Sequence, residues 1–232
     1  YADKYDEVVL MAGVVEEYER PLDKSVNIVK IKTYDRSSGL KRIMTWGIAF
    51  LQIFFKLLFG YKDYEIIYFT NPPMTYFTSL FIKNPFSVVV YDIYPDALRN
   101  VGIKEGSFIY KQWTKINKKL YAKAEVIYTL STGMANVLSK YVDLDKIRIV
   151  PNWSFTEKFA PIPKEENPFA KEYNLENKFV VMYSGNMGYT HSVDVLLDAA
   201  EQTLADEHIH YLMLGQGKKK LLLEVCVLNE GL

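Results

Sequence analysis

Residues 178–201, KFVVMYSGNMGYTHSVDVLLDAAE, contain the pattern that decides the fold. An apolar run ends at Gly185, a turn with a second glycine at Gly188 follows, and a segment with helical spacing starts near Thr190 or Ser192, either of which can be its N-cap. A strand that passes through a glycine turn into a helix suits a phosphate ligand, because the first amides of a helix are free donors. The turn does not match G-x-G-x-x-G, which disfavours a nicotinamide cofactor and an oxidoreductase that would use one.

Apolar runs alternate with helical segments along the rest of the chain. The predicted strands lie at 6–13, 26–33, 64–70, 86–92, 125–131, 146–152, 178–185 and 209–215, and the predicted helices at about 38–59, 74–82, 107–124, 132–141, 192–205 and 217–229. Most of the apolar runs do not alternate strictly, as expected for strands buried on both faces of a parallel sheet. This order of elements predicts a doubly wound α/β architecture.

A polar, proline-containing stretch separates two such regions. Residues 153–177 carry Pro161, Pro163 and Pro168, many charges and no long apolar run, which suits an interdomain linker. We therefore predict a first Rossmann-like domain over 1–152, a linker over 153–177 and the start of a second domain over 178–232. Both domains are expected to be incomplete, because the chain opens directly on a strand and no closing strand follows the last helical segment.

Composition excludes several classes of protein. The 28 basic and 28 acidic residues balance, so the chain lacks the basic excess that is typical of nucleic-acid-binding proteins. The single cysteine, Cys226, excludes an internal disulfide and a cysteine-rich metal site. Residues 1–10 do not read as a signal peptide, and we predict a cytoplasmic protein.

The most apolar stretch is residues 43–59, IMTWGIAFLQIFFKLLF, which is shorter than the roughly 20 residues of a membrane-spanning helix. A narrow seam of small or polar residues runs along it, formed by Thr45, Ala49, Gln52 and Lys56. One interpretation is a helix packed deep inside an α/β domain. The other is a helix that also enters a membrane interface, because aromatic residues beside basic flanks favour that position.

A second helical segment, residues 111–124, carries a lysine stripe. Its lysines are Lys111, Lys115, Lys118, Lys119 and Lys123. Such a stripe is usually a solvated face. The alternative is contact with anionic lipid headgroups, to which each lysine near the surface contributes about 1 kcal/mol.

The first group of candidate functional residues follows the predicted strand 86–92. Tyr91, Asp92, Tyr94 and Asp96 supply two carboxylates and two phenols, which can hydrogen-bond sugar hydroxyls or serve in acid–base chemistry. Ligands bind at the carboxyl ends of strands in open α/β sheets, which favours this position. The alternative is a capped turn in which Asp96 is an N-cap or turn residue.

The second and third groups are the glycine turns after the last two predicted strands. In the first turn, His191 could donate a hydrogen bond to a phosphate, although a surface histidine is the commoner case. In the second turn, Gly215 and Gly217 precede Lys218, Lys219 and Lys220, which fall in the first turn of a predicted helix. Cations there oppose the helix dipole, so an anionic partner would account for them, and simple solvent exposure is the alternative.

These segments together resemble glycosyltransferase family 4, in the branch that assembles bacterial surface polysaccharides and includes the fucosaminyl and colanic-acid transferases. The motifs that carry the resemblance are TNPPM (70–74), YDIYPDAL (91–98), TLSTGMANVL (129–138), IVPNWSFTEKFAP (149–161), VVMYSGNMGYTHSVDVLLDAAE (180–201) and LMLGQGKKKLL (212–222). The resemblance implies a GT-B fold of two Rossmann-like domains with mostly parallel sheets. It also implies a retaining transferase that moves a hexose-type sugar from a nucleotide-diphosphate donor to a lipid-linked or glycan acceptor, at the cytoplasmic face of the membrane.

The resemblance also implies roles for particular residues. Asp92 is predicted to be catalytic, and Tyr91, Tyr94 and Asp96 are predicted to bind the acceptor or sugar. The donor diphosphate is expected to contact Gly185, Asn186, Gly188, His191, Gly215, Gly217 and Lys218. No metal and no cofactor besides the nucleotide sugar are expected, and no nucleic acid partner is expected.

The chain departs from the family pattern at several points. Asn186 and His191 stand where many family members have Arg and Lys, and Tyr91 stands where the family has a histidine. The first strand with its glycine-rich loop and the later half of the donor domain, with its paired glutamates, lie outside this sequence. The fragment alone is therefore expected to be inactive, and a non-catalytic membrane-associated scaffold is the alternative function.

Overall fold

The computed structural model describes residues 4–16, 21–35, 37–152, 156, 159–188, 191–221 and 224. The chain divides into two compact units, Tyr1–Asn152 and Trp153–Leu232. Each of the eight apolar runs predicted as a strand contains one strand of the structure, and every strand pair is parallel.

The first unit contains two parallel sheets. Strands β1 (Val8–Ala12) and β2 (Val26–Lys30) form one sheet and are followed by helix α1 (Gly39–Phe59). The other sheet has the order β3-β4-β5-β6. Its elements are β3 (Ile66–Phe69), β4 (Phe86–Val90), α2 (Phe108–Lys123), β5 (Ile127–Thr129), α3 (Thr132–Leu138) and β6 (Ile147–Ile149).

The described part of the first unit also contains three short 3₁₀ helices, at Thr75–Leu80, Asp96–Val101 and Leu144–Lys146. The predicted helix 74–82 is thus the first of these 3₁₀ helices. The core lies against β4 and β5, where Val88, Val90 and Ile127 are fully buried beneath Leu120 of α2 and Leu138 of α3.

The described part of the second unit is smaller than that of the first unit. It contains α4 (Pro168–Glu172), β7 (Phe179–Ser184), α5 (Asp194–Gln202) and β8 (Ile209–Leu214), and β7 pairs with β8 in parallel. Most of the predicted helix 217–229, with Cys226, lies outside the described residues. The expectation of strands buried on both faces holds for β4 and β5. Strands β2, β3, β6, β7 and β8 keep exposed positions along their length.

The start of α5 differs from the prediction. The helix begins at Asp194, its N-cap position is Val193, and no side chain caps it. Ser192 is therefore not the N-cap, and Thr190 lies outside the described residues. Val193 is instead buried beside Met187, so the chain enters α5 through an apolar contact.

Helix α1 is longer than the apolar stretch from which it was predicted. The Ser38 hydroxyl accepts a hydrogen bond from the Lys41 amide and caps the helix at Gly39, which gives it 21 residues. By length and apolarity it is the one helix among the described residues that passes the test for a membrane span, with 22% of its most apolar stretch buried. Ala49, Ile53 and Leu57 form its buried face, and the latter two belong to the core of the first unit.

Candidate functional site

A buried threonine fixes the loop that carries the predicted catalytic residue. Thr70 follows β3 and is 1% exposed, and its hydroxyl accepts hydrogen bonds from the amides of Tyr91 at 3.0 Å and Asp92 at 3.1 Å. Tyr91 also stacks on Phe69, with ring centroids 6.2 Å apart. The carboxyl ends of β3 and β4 are thereby joined, and the Asp92 side chain is left exposed at that edge of the sheet.

Tyr94 lies a few residues further along the same loop. Its ring stacks on Trp113 of α2 with centroids 5.3 Å apart, and its carbonyl accepts a hydrogen bond of 2.6 Å from the buried amide of Asn117. Burial, with a smaller contribution from the charge of Asp92, raises the pKa of Tyr94 above its usual value. The phenol is therefore a neutral donor at physiological pH.

Asp96 is held inside the protein rather than presented to a ligand. Its carboxylate accepts hydrogen bonds from the Tyr110 hydroxyl at 2.9 Å, the Lys140 ammonium at 2.8 Å and the Tyr141 hydroxyl. Burial acts to raise the pKa of Asp96, but the bonds from Lys140, Tyr141 and Tyr110 outweigh it and hold the pKa below its usual value. Asp96 is the first residue of a 3₁₀ helix whose N-cap position is Pro95, so it is not the N-cap.

The two glycine turns of the second unit lie side by side. The Gly185 amide donates to the Leu214 carbonyl at 2.9 Å, and the Met187 amide donates to the Gln216 carbonyl at 2.7 Å. The Lys219 amide returns a hydrogen bond to the Met187 carbonyl at 2.9 Å. Main-chain hydrogen bonds therefore join two turns that lie about thirty residues apart in sequence.

Main-chain proximity explains why glycines occupy these turns. Gly215 and Gly217 have φ of +146° and +145°, in the region that side chains disfavour. A Cβ at Gly215 would overlap the Gly185 carbonyl oxygen, and one at Gly217 would overlap the Met187 backbone. At Gly188 an added Cβ would meet only the end of the Asn186 side chain, 2.9 Å away.

An open pocket of about 410 Å³ lies where the two turns meet. It is lined by Ser184, Gly185, Asn186, Leu214, Gly215 and Gln216, at the carboxyl ends of β7 and β8. Within the described residues the backbone amides of Asn186, Gly215 and Gln216 donate to no other protein atom. Unused amides that surround one concavity can bind an anion.

His191 and Lys218 are placed differently with respect to this pocket. Neither is among its lining residues, although the His191 ring lies near Gly188, whose added Cβ would be 3.8 Å from its Cδ2. The Tyr183 hydroxyl lies 2.7 Å from Nδ1 of His191. Lys218 is exposed.

Reasoning from sequence missed Tyr183 and Gln216, and it did not separate Lys219 from its two lysine neighbours. The Lys219 ammonium binds the His191 carbonyl at 2.9 Å and the Asp194 carboxylate at 2.6 Å, so it ties the second turn to the start of α5. That hydrogen bond from Lys219 holds the pKa of Asp194 below its usual value. Three successive lysines at 218–220 gave no signal in the sequence that would single out the middle one. The part of the chain that the structure describes contains no cluster of His, Cys, Asp and Glu that could hold a metal ion.

Solved structures share this fold. The chain superposes on Anabaena Alr3699/HepE in complex with UDP with a TM-score of 0.58 at 10% identity, covering 89% of this chain and 53% of that one. An S. aureus TarM mutant in complex with fondaparinux, alpha-GlcNAc-glycerol and UDP gives a TM-score of 0.51 at 14% identity, covering 79% and 35%. No family model matches the chain. The α/β, GT-B-like fold class predicted from sequence is confirmed.

Two curated proteins are similar to this chain in sequence. The chain is 24% identical over 208 residues to "Probable glycosyltransferase WbjE" of Pseudomonas aeruginosa, covering 82% of this chain and 51% of that protein. It is 25% identical over 209 residues to "Putative colanic acid biosynthesis glycosyl transferase WcaI" of Escherichia coli K12, covering 84% and 51%. The chain therefore spans about half the length of the curated relatives it matches. The comparisons confirm the resemblance to bacterial surface-polysaccharide glycosyltransferases, and the family number stays a prediction.

Proposed function

We propose that the full-length protein is a retaining glycosyltransferase that moves a hexose-type sugar from a nucleotide-diphosphate donor to a lipid-linked or glycan acceptor. The observation that carries the proposal is the pair of joined glycine turns with unused amides, at the carboxyl ends of β7 and β8. The relatives support a role in bacterial surface glycan synthesis, since WcaI is named for colanic acid biosynthesis. The transfer reaction is proposed to take place in the cytoplasm, at the inner face of the membrane.

In this proposal the turns stabilise the leaving diphosphate. Transfer breaks the bond between the anomeric carbon and a diphosphate oxygen, and the oxygen keeps the electron pair as negative charge. Amides of Asn186, Gly215 and Gln216 can donate to that charge without reorganising, because neighbouring main-chain bonds already hold them in place. No metal is required for this step, since amide dipoles supply the stabilisation.

The acceptor side is proposed to lie in the first unit. The acceptor hydroxyl forms the new bond to the anomeric carbon and gives up its proton, and Asp92 is the group proposed to receive it. Asp92 suits this role because Thr70 fixes its backbone while its carboxylate remains exposed. Tyr91 and Tyr94 are proposed to bind sugar hydroxyls, whereas Asp96 has the least capacity to do so because three internal donors already use it.

Release of nucleoside diphosphate by the full-length protein tests the proposal. UDP-, GDP- and dTDP-sugars would be offered with lipid-linked acceptors, and release is expected with one donor class. Asp92→Asn is expected to abolish most turnover while donor binding is retained. Absence of release across the whole panel, from a folded protein, counts against the proposal.

The alternative function is a non-catalytic membrane-associated scaffold. It is favoured by one observation: none of the described residues that line the pocket is charged, so the diphosphate would lack cationic support there. A scaffold would bind a nucleotide sugar weakly and would release no diphosphate. Finding the paired glutamates in the downstream sequence would favour the transferase.

A further inference from the structure

The outward face of α1 is apolar along the whole helix. Large side chains follow one another at spacings of three or four residues, and each is between 42% and 71% exposed. We refer to these as the apolar stripe, which consists of Leu40, Met44, Ile48, Leu51, Phe55 and Phe59. Soluble monomers rarely expose contiguous apolar patches of this extent, which mark interaction sites.

Two polar residues of α1 bind the segment that precedes the helix. The Thr45 hydroxyl accepts a hydrogen bond from the Asp35 amide at 3.1 Å, and the Gln52 side chain accepts one from the Lys32 amide at 2.7 Å. The Trp46 indole donates to the Pro73 carbonyl at 2.9 Å. The seam noted in the sequence therefore borders the buried face of α1, with Gln52 still exposed, and rotating α1 to hide the apolar stripe would break these bonds.

All charged residues of the two long helices, α1 and α2, are positive, although Lys41 is paired with Asp35 at 3.9 Å. Helix α1 carries Lys41, Arg42 and Lys56 and no carboxylate, and α2 carries five lysines and no carboxylate. The α2 lysines are exposed and form no ion pair within the described residues. Since the whole chain is formally neutral, the balancing carboxylates lie on other elements.

The two helices pack against one shared element of the first unit. Both contact the 3₁₀ helix Thr75–Leu80, and Phe81 at its end is 66% exposed and packs edge-on against Phe54 of α1 at 5.6 Å. Exposed aromatic and aliphatic groups beside lysines match the interface of an anionic bilayer, where apolar side chains enter the acyl boundary and cations contact headgroups.

We propose that α1 lies in the plane of an anionic membrane surface with the apolar stripe buried in it, and that the lysines of α2 strengthen the attachment. A second copy of this chain is a poorer occupant, because it would bring the same positive helices against each other. Spanning is also disfavoured by the hydrogen bonds of Thr45 and Gln52, which tie the side of the helix beside the apolar stripe to the protein.

Vesicle sedimentation of the full chain tests this inference without donor or acceptor, so its outcome is independent of the proposed function. The vesicles would consist of phosphatidylcholine alone or mixed with phosphatidylglycerol. The double variant Leu51→Gln, Phe55→Gln removes the centre of the apolar stripe. Leu144→Gln is the matched control, because Leu144 is 56% exposed in the same unit but lies outside α1.

Wild type and Leu144→Gln are expected to bind the anionic vesicles, and the double variant is expected to bind at least about tenfold more weakly, or about 1.4 kcal/mol. Circular dichroism checks that each variant is folded. A fluorophore at Leu51→Cys, with Cys226→Ser, is expected to shift to the blue only when vesicles are added. Equal binding by the double variant would overturn the proposal, as would a fluorophore already shielded without lipid or a wild-type dimer that the double variant disrupts.

Discussion

The Tyr183 hydroxyl lies 2.7 Å from Nδ1 of His191 and 2.8 Å from the carbonyl oxygen of Asn186. A carbonyl can only accept, so the single phenol proton points to Asn186 and the Nδ1 of His191 must carry a proton to complete the second bond. In a neutral His191, the Nε2 atom then carries a lone pair and no proton. Only the imidazolium form of His191 can therefore donate from Nε2 to a diphosphate.

Tyr183→Phe is expected to change donor binding through the tautomer of His191. The substitution removes the hydroxyl that holds the proton on Nδ1, so a neutral His191 can then carry its proton on Nε2 and donate it to the diphosphate. Calorimetric titration with a nucleotide sugar should therefore show binding at least as tight as that of wild type, whereas His191→Ala, which has no donor, should bind more weakly. Weaker binding by Tyr183→Phe than by wild type would refute this prediction.

Gly215→Ala is expected to damage the pocket itself. The added methyl group would overlap the Gly185 carbonyl oxygen at a φ of +146°, so the two turns must separate. We expect a loss of about 2 kcal/mol or more in the free energy of unfolding and loss of nucleotide binding. Gly106→Ala is the control, because an added Cβ there meets nothing within 4 Å. Urea unfolding and nucleotide titration measure both effects, and a Gly215→Ala protein that binds normally would contradict the geometry.

Asp96→Asn is expected to reduce stability at neutral pH by about 1–3 kcal/mol, because it removes a charge that Tyr110, Lys140 and Tyr141 bind. The pKa of Asp96 in the folded protein lies below the ordinary 3.8, so the stabilisation is present above that value and is lost as pH falls through the folded pKa. The difference between variant and wild type should therefore shrink in acid.

Asp92→Asn serves as the comparison for Asp96→Asn, since the Asp92 side chain is exposed. It is expected to leave the free energy of unfolding nearly unchanged while lowering turnover. Urea denaturation at neutral and acidic pH distinguishes the two carboxylates. A free energy of unfolding that Asp96→Asn lowers no more than Asp92→Asn does would show that the contacts of Asp96 contribute little.

The α2 lysines are expected to contribute to vesicle binding through charge alone. Lys115→Gln with Lys119→Gln removes two cations, each of which contributes about 1 kcal/mol near an anionic surface. Binding to vesicles with phosphatidylglycerol should fall about tenfold or more, and the difference from wild type should vanish at high salt. Lys171→Gln, on α4 of the second unit, is the control. Binding that is insensitive to both charge and salt would remove α2 from the membrane contact.

Local sequence patterns were sufficient for the strands and insufficient for the orientation of α1. The apolar runs located β1–β8, although only β4 and β5 show the burial on both faces that continuous apolar residues predict. On α1, apolar residues flank the polar seam on both sides, so periodicity alone does not show which side faces the core. The partners of Thr45 and Gln52 are the amides of Asp35 and Lys32, which lie ten and twenty residues away in sequence.

The candidate site was predicted where chemistry follows strand ends and missed where it depends on distant partners. Asp92 and the glycine turns follow β4, β7 and β8 directly. The partners that occupy Asp96 are Lys140 and Tyr141, which are 44 and 45 residues away in sequence. Their approach results from the order of strands in the sheet, and no local pattern encodes it.

In the proposed function, the backbone amides of Asn186, Gly215 and Gln216 bind the diphosphate, which every nucleotide-diphosphate sugar shares. Amides that contact only the diphosphate do not distinguish the epimer, the deoxy position or the nucleobase of the donor. Under this proposal, a change of monosaccharide during evolution requires substitutions elsewhere in the chain and none at these two turns.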